Sequence, residues 1–150
     1  MNVRKGALRL VANEAEGYRL DEQVGHLLRK ANQRHLAIFA RAIPDLTPPQ
    51  FAALARLAEV GEASQNQLGQ MVAMDAATIK GVIDRLKSRG LVELSNHGSD
   101  RRRRVVSLTE AGLEVVAALT TPALTITAET LSPLTPKEAG TLLDLLSRIC

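Results

Sequence analysis

The chain has 150 residues, 45% hydrophobic and 23% charged, which is the composition of an ordinary globular domain with little room for a second one. A single cysteine, Cys150, excludes an internal disulfide framework and a cysteine-rich zinc site, and a 2% aromatic content excludes single-strand binding by base stacking. The net charge of +3 hides an asymmetry: residues 75–104 hold eight Lys/Arg against four Asp/Glu, whereas residues 105–150 hold two against five. Positive charge gathered in one segment is the footprint of a polyanionic partner.

Residues 1–20 mix polar and apolar positions around Gly6 and Gly17 and read as an arm or a short helix. Glu14 and Glu16 interrupt any signal-peptide core, and no apolar run approaches the ~20 residues of a membrane span, so a cytoplasmic protein is expected. Asp21 is the expected cap of a long helix that ends at Pro44. Val24, Leu27, Leu28, Ala31, His35, Ile38, Phe39 and Ala42 form its apolar stripe.

Thr47-Pro48-Pro49-Gln50 is a capping box with proline in the first turn, and the helix it opens carries Phe51, Leu54, Leu57 and Ala58 inward before Gly61 stops it. Ser64-Gln65-Asn66-Gln67 is a second capping box, opening a short helix with Leu68, Met71 and Val72 inside. Asp75 caps the next helix, where Ile79, Val82, Ile83 and Leu86 share one face and Gly90 marks the stop. The opposite face carries Ala77, Lys80, Gly81, Asp84 and Ser88, with Thr78 and Arg85 beside it. A short helix, a brief turn and a second helix with a small polar outer face is the helix-turn-helix arrangement.

Leu91-Val92-Glu93-Leu94-Ser95 alternates like a half-buried strand, Asn96-His97-Gly98-Ser99-Asp100 is turn chemistry, and Arg101-Arg102-Arg103-Arg104 leads into a second strand, Val105-Val106-Ser107-Leu108. This predicts a two-stranded wing with a basic tip. The helix suits a major groove, and the arginines suit phosphates or a minor groove. The residues expected to meet DNA are Ala76, Ala77, Thr78, Lys80, Gly81, Arg85, Arg101, Arg102, Arg103 and Arg104. Asp84 is expected to orient Arg101 or another arginine, since a carboxylate is repelled by phosphates.

Thr109 caps the following helix, with Ala111, Val115, Ala118 and Leu119 inward and a kink or split at Pro122. Thr135-Pro136-Lys137-Glu138 is a third capping box, and the final helix lines up Ala139, Leu142, Leu143, Leu146 and Ile149. The predicted fold is mainly α with a small β-hairpin wing. An N-terminal arm and dimerisation helix (1–46) precede a winged helix-turn-helix lobe (47–108), and C-terminal dimerisation helices (109–150) follow, all in one intertwined domain. The first and last helices keep apolar stripes with little left to pack on, so a second copy of the chain is expected to cover them. There is no metal site, no cofactor motif and no nucleophile–base pair in the sequence, and no enzyme is expected.

Arg85-Leu86-Lys87-Ser88-Arg89-Gly90-Leu91-Val92, then Asp100-Arg101-Arg102 and Val106-Ser107-Leu108-Thr109-Glu110-Ala111-Gly112, resemble the MarR family of transcription regulators over about residues 21–150. The resemblance implies a homodimeric winged helix-turn-helix repressor on a pseudo-palindromic double-stranded operator, often released by a small aromatic acid. One departure stands out: the family often has a basic residue where this chain has Gly81. A ligand at the hinge between the dimer helices and the DNA-binding lobe touches both moving parts. The residues expected there are His35, Phe39 and Phe51, with Arg34 or Arg41 at the rim, a set that suits a flat apolar ligand with one carboxylate. The competing reading is a winged-helix module whose basic wing meets an acidic protein surface instead of DNA.

Overall fold

Three capping boxes and two glycines punctuate the chain. In a computed structural model describing residues 17–97 and 100–150, with the backbone alone at 97 and at 100–102, a 3-10 turn (Leu20–Glu22) precedes nine elements. These are α1 (Val24–Ala42), α2 (Pro48–Val60), β1 (Glu62–Ala63), α3 (Gln65–Met71), α4 (Ala76–Ser88), β2 (Val92–His97), β3 (Asp100–Leu108), α5 (Glu110–Thr130) and α6 (Pro136–Ser147). Residues 1–16 and the turn residues Gly98 and Ser99 lie outside the described residues. The mainly helical winged fold expected from the sequence is the one observed.

Thr47, Ser64 and Thr135 each accept from the backbone N–H three residues on, and Gln50, Gln67 and Glu138 accept from the cap N–H in return. Each box satisfies two of the donors that a helix start leaves without an intrahelical partner. Glu138 is held below the ordinary carboxylate range by the Thr135 backbone N–H, with the Thr135 side chain adding to the effect. Gly61, at φ 83°, ends α2 where a side chain would be strained.

The chain divides into two compact units, residues 1–34 and 35–150. In the first, Asp21 does not cap α1. Leu20, Asp21 and Glu22 form a 3-10 turn closed by Gln23 N–H to the Leu20 carbonyl at 3.0 Å, which delays α1 to Val24. The Asp21 carboxylate instead meets His26 Nε2 at 3.4 Å.

In the second unit, α2, α3, α4 and the sheet enclose the core. Leu54, Leu57, Leu68, Ile79, Ile83, Leu86 and Val106 are almost fully buried at its centre, with Ile38, Phe39 and Ile126 joining from α1 and α5. On three helices the buried positions differ from those expected. Ala53 rather than Ala58 is buried on α2, Gly69 rather than Met71 on α3, and Gly112 and Ile126 rather than Ala111 and Ala118 on α5. In each case the partner element selects the face, which periodicity alone does not fix.

The wing is three-stranded, in the order β1-β3-β2 and antiparallel throughout. β1 is two residues long, and its Glu62 and Ala63 pair with Ser107 and Val106. No sequence pattern announces it; β3 has a free edge, and the segment after Gly61 satisfies it. The arginine run is also not a loop tip. β3 begins at Asp100, so Arg101 to Arg104 are strand residues, and a register irregularity falls between Asn96 and His97.

α5 runs through Pro122 without a break. The hydroxyls of Thr120 and Thr125 donate to the carbonyls of Val116 and Thr121, so these threonines are satisfied within the helix that the proline was expected to split. Contrary to the sequence expectation, this 21-residue helix is long and apolar enough to cross a membrane by length and composition.

The junction of α4, β2 and α5 fixes the architecture. Arg89 ends α4 and Gly90 follows at φ 71°, with Gly90 N–H on the Lys87 carbonyl at 2.9 Å and Leu91 N–H on the Leu86 carbonyl at 3.0 Å. This is a Schellman stop, and Leu86 and Leu91 are its buried apolar pair. α5 then docks on the same two residues. The Thr109 hydroxyl donates to the Gly90 carbonyl at 2.6 Å and Thr109 N–H to the Leu91 carbonyl at 3.1 Å. A Cβ at Gly112 would stand 2.1 Å from that carbonyl oxygen. Gly112→Ala therefore forces α5 off the junction and is expected to destabilise the protein by about 2–4 kcal/mol. Denaturant unfolding followed by circular dichroism measures it, and a loss below ~1 kcal/mol would show that the junction yields without cost.

Candidate functional site

α4 owes its start to Asp75, whose Oδ1 accepts from Thr78 N–H at 2.7 Å. That backbone bond is the main reason the Asp75 carboxyl sits below its ordinary range. The turn before it is tight. Met74 N–H reaches back to the Gly69 carbonyl at 2.8 Å, and a Cβ on Gly69 would stand 3.0 Å from the Met74 oxygen and 3.1 Å from Ile79 Cγ2. Ala73 makes the turn at φ 55°, a left-handed conformation that costs a non-glycine residue about 1–2 kcal/mol. Close packing of α3 on α4 is what the strain secures.

With Ile79, Val82, Ile83 and Leu86 buried, helical spacing turns Ala77, Gly81, Asp84 and Ser88 directly outward. Ala76, Ala77, Thr78, Lys80 and Arg85 are exposed and Gly81 is half-buried. A Cβ on Gly81 would meet nothing within 4 Å, so packing gives no reason for a glycine there. Lys80 Nζ lies 2.8 Å from Asp84 Oδ2, with both side chains more than half exposed. Asp84, expected to orient Arg101 or another arginine, pairs with Lys80 among the described side chains, which do not include Arg101; one helical turn of spacing brings the two together without tertiary help. As a surface pair it contributes about 0.3–0.5 kcal/mol to the helix.

On the sheet, Arg103 and Arg104 are exposed. With Val105 they form one wall of a cleft of about 340 Å³ whose other wall is Glu62, Ala63, Ser64 and Gln67. The side chains of Arg101 and Arg102 lie outside the described residues. A second cleft, of about 210 Å³, runs between α3 and α4 past Asn66, Gln70 and Ala76.

The residues expected to hold a ligand are partly brought together. Phe39 and Phe51 pack edge-to-face with centroids 6.1 Å apart and planes at 63°. His35, half-buried, shares a hydrogen bond with the Thr130 hydroxyl, Nδ1 to Oγ1 2.9 Å. Arg41 is paired with Glu129. Arg34 belongs to the other compact unit. His35 and Arg41 thus both engage the last turn of α5, at Thr130 and Glu129. Sequence reading missed these two partners, because a contact between residues some ninety positions apart leaves no local pattern. It also missed Arg89, whose Nη1 donates to the Asp45 carbonyl at 2.8 Å and ties the end of α4 to the turn between α1 and α2.

A model of the MarR family matches residues 45–103. The transcriptional repressor NicR of Pseudomonas putida is 43% identical over 134 residues, which cover 88% of this chain and 85% of NicR. The chain belongs to the MarR family. Among solved structures, a probable transcriptional regulator from Pseudomonas aeruginosa superposes with a TM-score of 0.85 at 50% identity, covering 88% of this chain and all of that one. Bordetella bronchiseptica BpsR, whose structure is described as giving the mechanism by which 6-hydroxynicotinic acid regulates its DNA binding, superposes with a TM-score of 0.84 at 41% identity over 89% of this chain and 96% of BpsR. In this MarR-family protein, α3 and α4 are the helix-turn-helix and the sheet is the wing. The relatives are transcription regulators, and no enzyme is among these three.

Proposed function

We propose that the protein is a homodimeric repressor that binds a pseudo-palindromic duplex operator in the cytoplasm and is released by a small aromatic carboxylate of the hydroxynicotinate kind. The observation that carries the reading is the outward face of α4, with small residues and one lysine, accompanied by a wing strand with exposed Arg103 and Arg104. A major groove admits such a helix, and the arginines supply phosphate or minor-groove contacts. The DNA-contact set is that of the sequence analysis: Ala76, Ala77, Thr78, Lys80, Gly81, Arg85 and the four arginines 101–104. Lys80 reads a base, and the arginines bind largely without regard to sequence.

Dimerisation is supported by the apolar surface that one chain leaves open. No residue of α6 is buried; Leu143 and Leu145 are about half exposed, Ile149 lies open beyond the helix, and Leu113 and Leu124 of α5 are more than half exposed. Such faces call for cover, and a two-fold partner also sets two copies of α4 about one DNA turn apart. The effector site lies at the α1–α2–α5 junction, around His35, Phe39 and Phe51, with Arg41 supplying the cation. Its ligand class is supported by the BpsR comparison and by the pairing of a flat apolar surface with a guanidinium.

The test starts from the duplex that the full-length protein selects from a randomised library, measured by fluorescence anisotropy. 6-Hydroxynicotinate, nicotinate and benzoate are added in turn. Release by at least one, weakened in His35→Ala, is the expected outcome; if none releases wild type, the effector class is wrong. Lys80→Ala narrows the gap between selected and random duplexes by about 1–3 kcal/mol, and an equal loss on both would make Lys80 a phosphate contact. Leu146 lines a shallow apolar groove of about 340 Å³ with Leu142, Leu145, Arg148 and Ile149. Leu146→Asp places a charge in the dimer interface. Light scattering should give a monomer with operator affinity lost, and a monomer that binds the full palindrome undiminished would refute the assembly.

A further inference from the structure

Asp84 occupies a position where a DNA-reading surface has most reason to avoid negative charge. It stands on the outward line of α4 with Ala77, Gly81 and Ser88, opposite the buried residues. Every other charged side chain from Lys80 to the end of α4 is basic: Lys80 itself, Arg85 and Lys87. Helix stability accounts for little of it. The order lysine before aspartate is the weaker of the two orientations, and a carboxylate in the second half of a helix lies toward the negative end of its dipole. Packing does not account for it either, since the side chain is 59% exposed. What remains is geometric: Oδ2 lies 2.8 Å from Lys80 Nζ and draws the ammonium over the outward face.

We propose that Asp84 is a positioning residue that determines specificity. It holds the Lys80 ammonium over the major groove to read a guanine edge, and holds it off the neighbouring phosphates. An ammonium has three donors. Lys80 keeps one on Asp84 and offers the others to O6 or N7 of a guanine, the acceptors a lysine recognises, whereas the N6 amino group of adenine opposes it. A phosphate, by contrast, gains Lys80 only if the pair breaks, and then faces the uncovered Asp84 carboxylate. The pair therefore lowers affinity for every sequence but lowers it least where a guanine is in place. The proposal rests on α4 being the DNA-reading helix.

The experiment compares wild type with Asp84→Asn, Asp84→Glu, Lys80→Ala and the Asp84→Asn/Lys80→Ala double variant. Each is titrated over a salt series against the duplex that wild type selects from a randomised library and against random duplex. In Asp84→Asn, random-duplex affinity rises, the salt slope grows by about one unit, and preference for the selected duplex falls about tenfold. Asp84→Glu, which keeps a carboxylate within reach, stays near wild type. Adding Lys80→Ala to Asp84→Asn removes the gained slope. Two results overturn the proposal: an unchanged preference in Asp84→Asn, or a gain on random duplex that survives in the double variant, since Asp84 would then act as bare charge and not through Lys80. Wild type that selects no duplex removes the DNA-reading assignment itself. Wild type that selects one, with Asp84→Asn equally selective, removes only the role of Asp84.

Discussion

The carbonyl of Leu91 is where the architecture is decided. The N–H of the same residue closes the Schellman stop of α4 on the Leu86 carbonyl, β2 begins at the next residue, and the Leu91 carbonyl itself receives the N-cap of α5 through Thr109 N–H. A side chain at position 112 would stand inside van der Waals contact of that oxygen. The glycine is required by close approach alone, and the conformational freedom that usually makes glycine costly in a helix is the accepted cost of the contact. Because protein interiors are packed to crystal-like density, a joint this close leaves little room to slide. The end of the DNA-facing helix, the wing and the long helix α5 therefore share one fixed corner.

What was legible in the sequence was what neighbouring residues decide among themselves. All three capping boxes, the Asp75 cap, the stops at Gly61 and Gly90, and the buried row Ile79, Val82, Ile83, Leu86 follow from contacts within four residues. The errors lie where a distant element decides. β1 exists only because β3 offers it an edge. The inward face of α5 is chosen by α2 and the sheet, which is how Ala111 and Ala118 came to be expected inside while Gly112 and Ile126 are. Pro122 looked like a break because proline lacks the N–H for one helical bond, yet one missing bond does not end a helix held by Val115, Val116, Leu119, Ala123 and Ile126 against the core.

The functional surface divides the same way. A run of four arginines and an exposed lysine are visible in any reading of the chain, but their setting is not. The arginines belong to a strand rather than to a loop tip. Lys80 has an i,i+4 carboxylate, Asp84, which spacing alone supplies as its partner. The family match reaches from residue 45 to residue 103, which spans the helix-turn-helix and part of the wing but leaves out α1, α5 and α6.

A route from the aromatic junction to the DNA face can be traced through contacts of two kinds. Phe39 on α1 packs edge-to-face on Phe51 of α2, and α2 supplies Leu54 and Leu57 to the core beneath α4. In parallel, Arg89 at the end of α4 donates to the carbonyl of Asp45, three residues past α1. The first contact is apolar and non-directional. The second is a charge-assisted hydrogen bond that depends on angle and distance. A ligand that parts Phe39 from Phe51 moves the core side of α4 while Arg89 still holds its end to the turn at Asp45, so α4 responds by rotating about that end more readily than by translating. Rotation moves its first turn furthest, and that turn, from Ala76 to Lys80, is the part proposed to meet a major groove. On the proposed reading, a displacement at the junction then changes the register of the residues assigned to DNA, provided the ligand binds the two arrangements with different affinity.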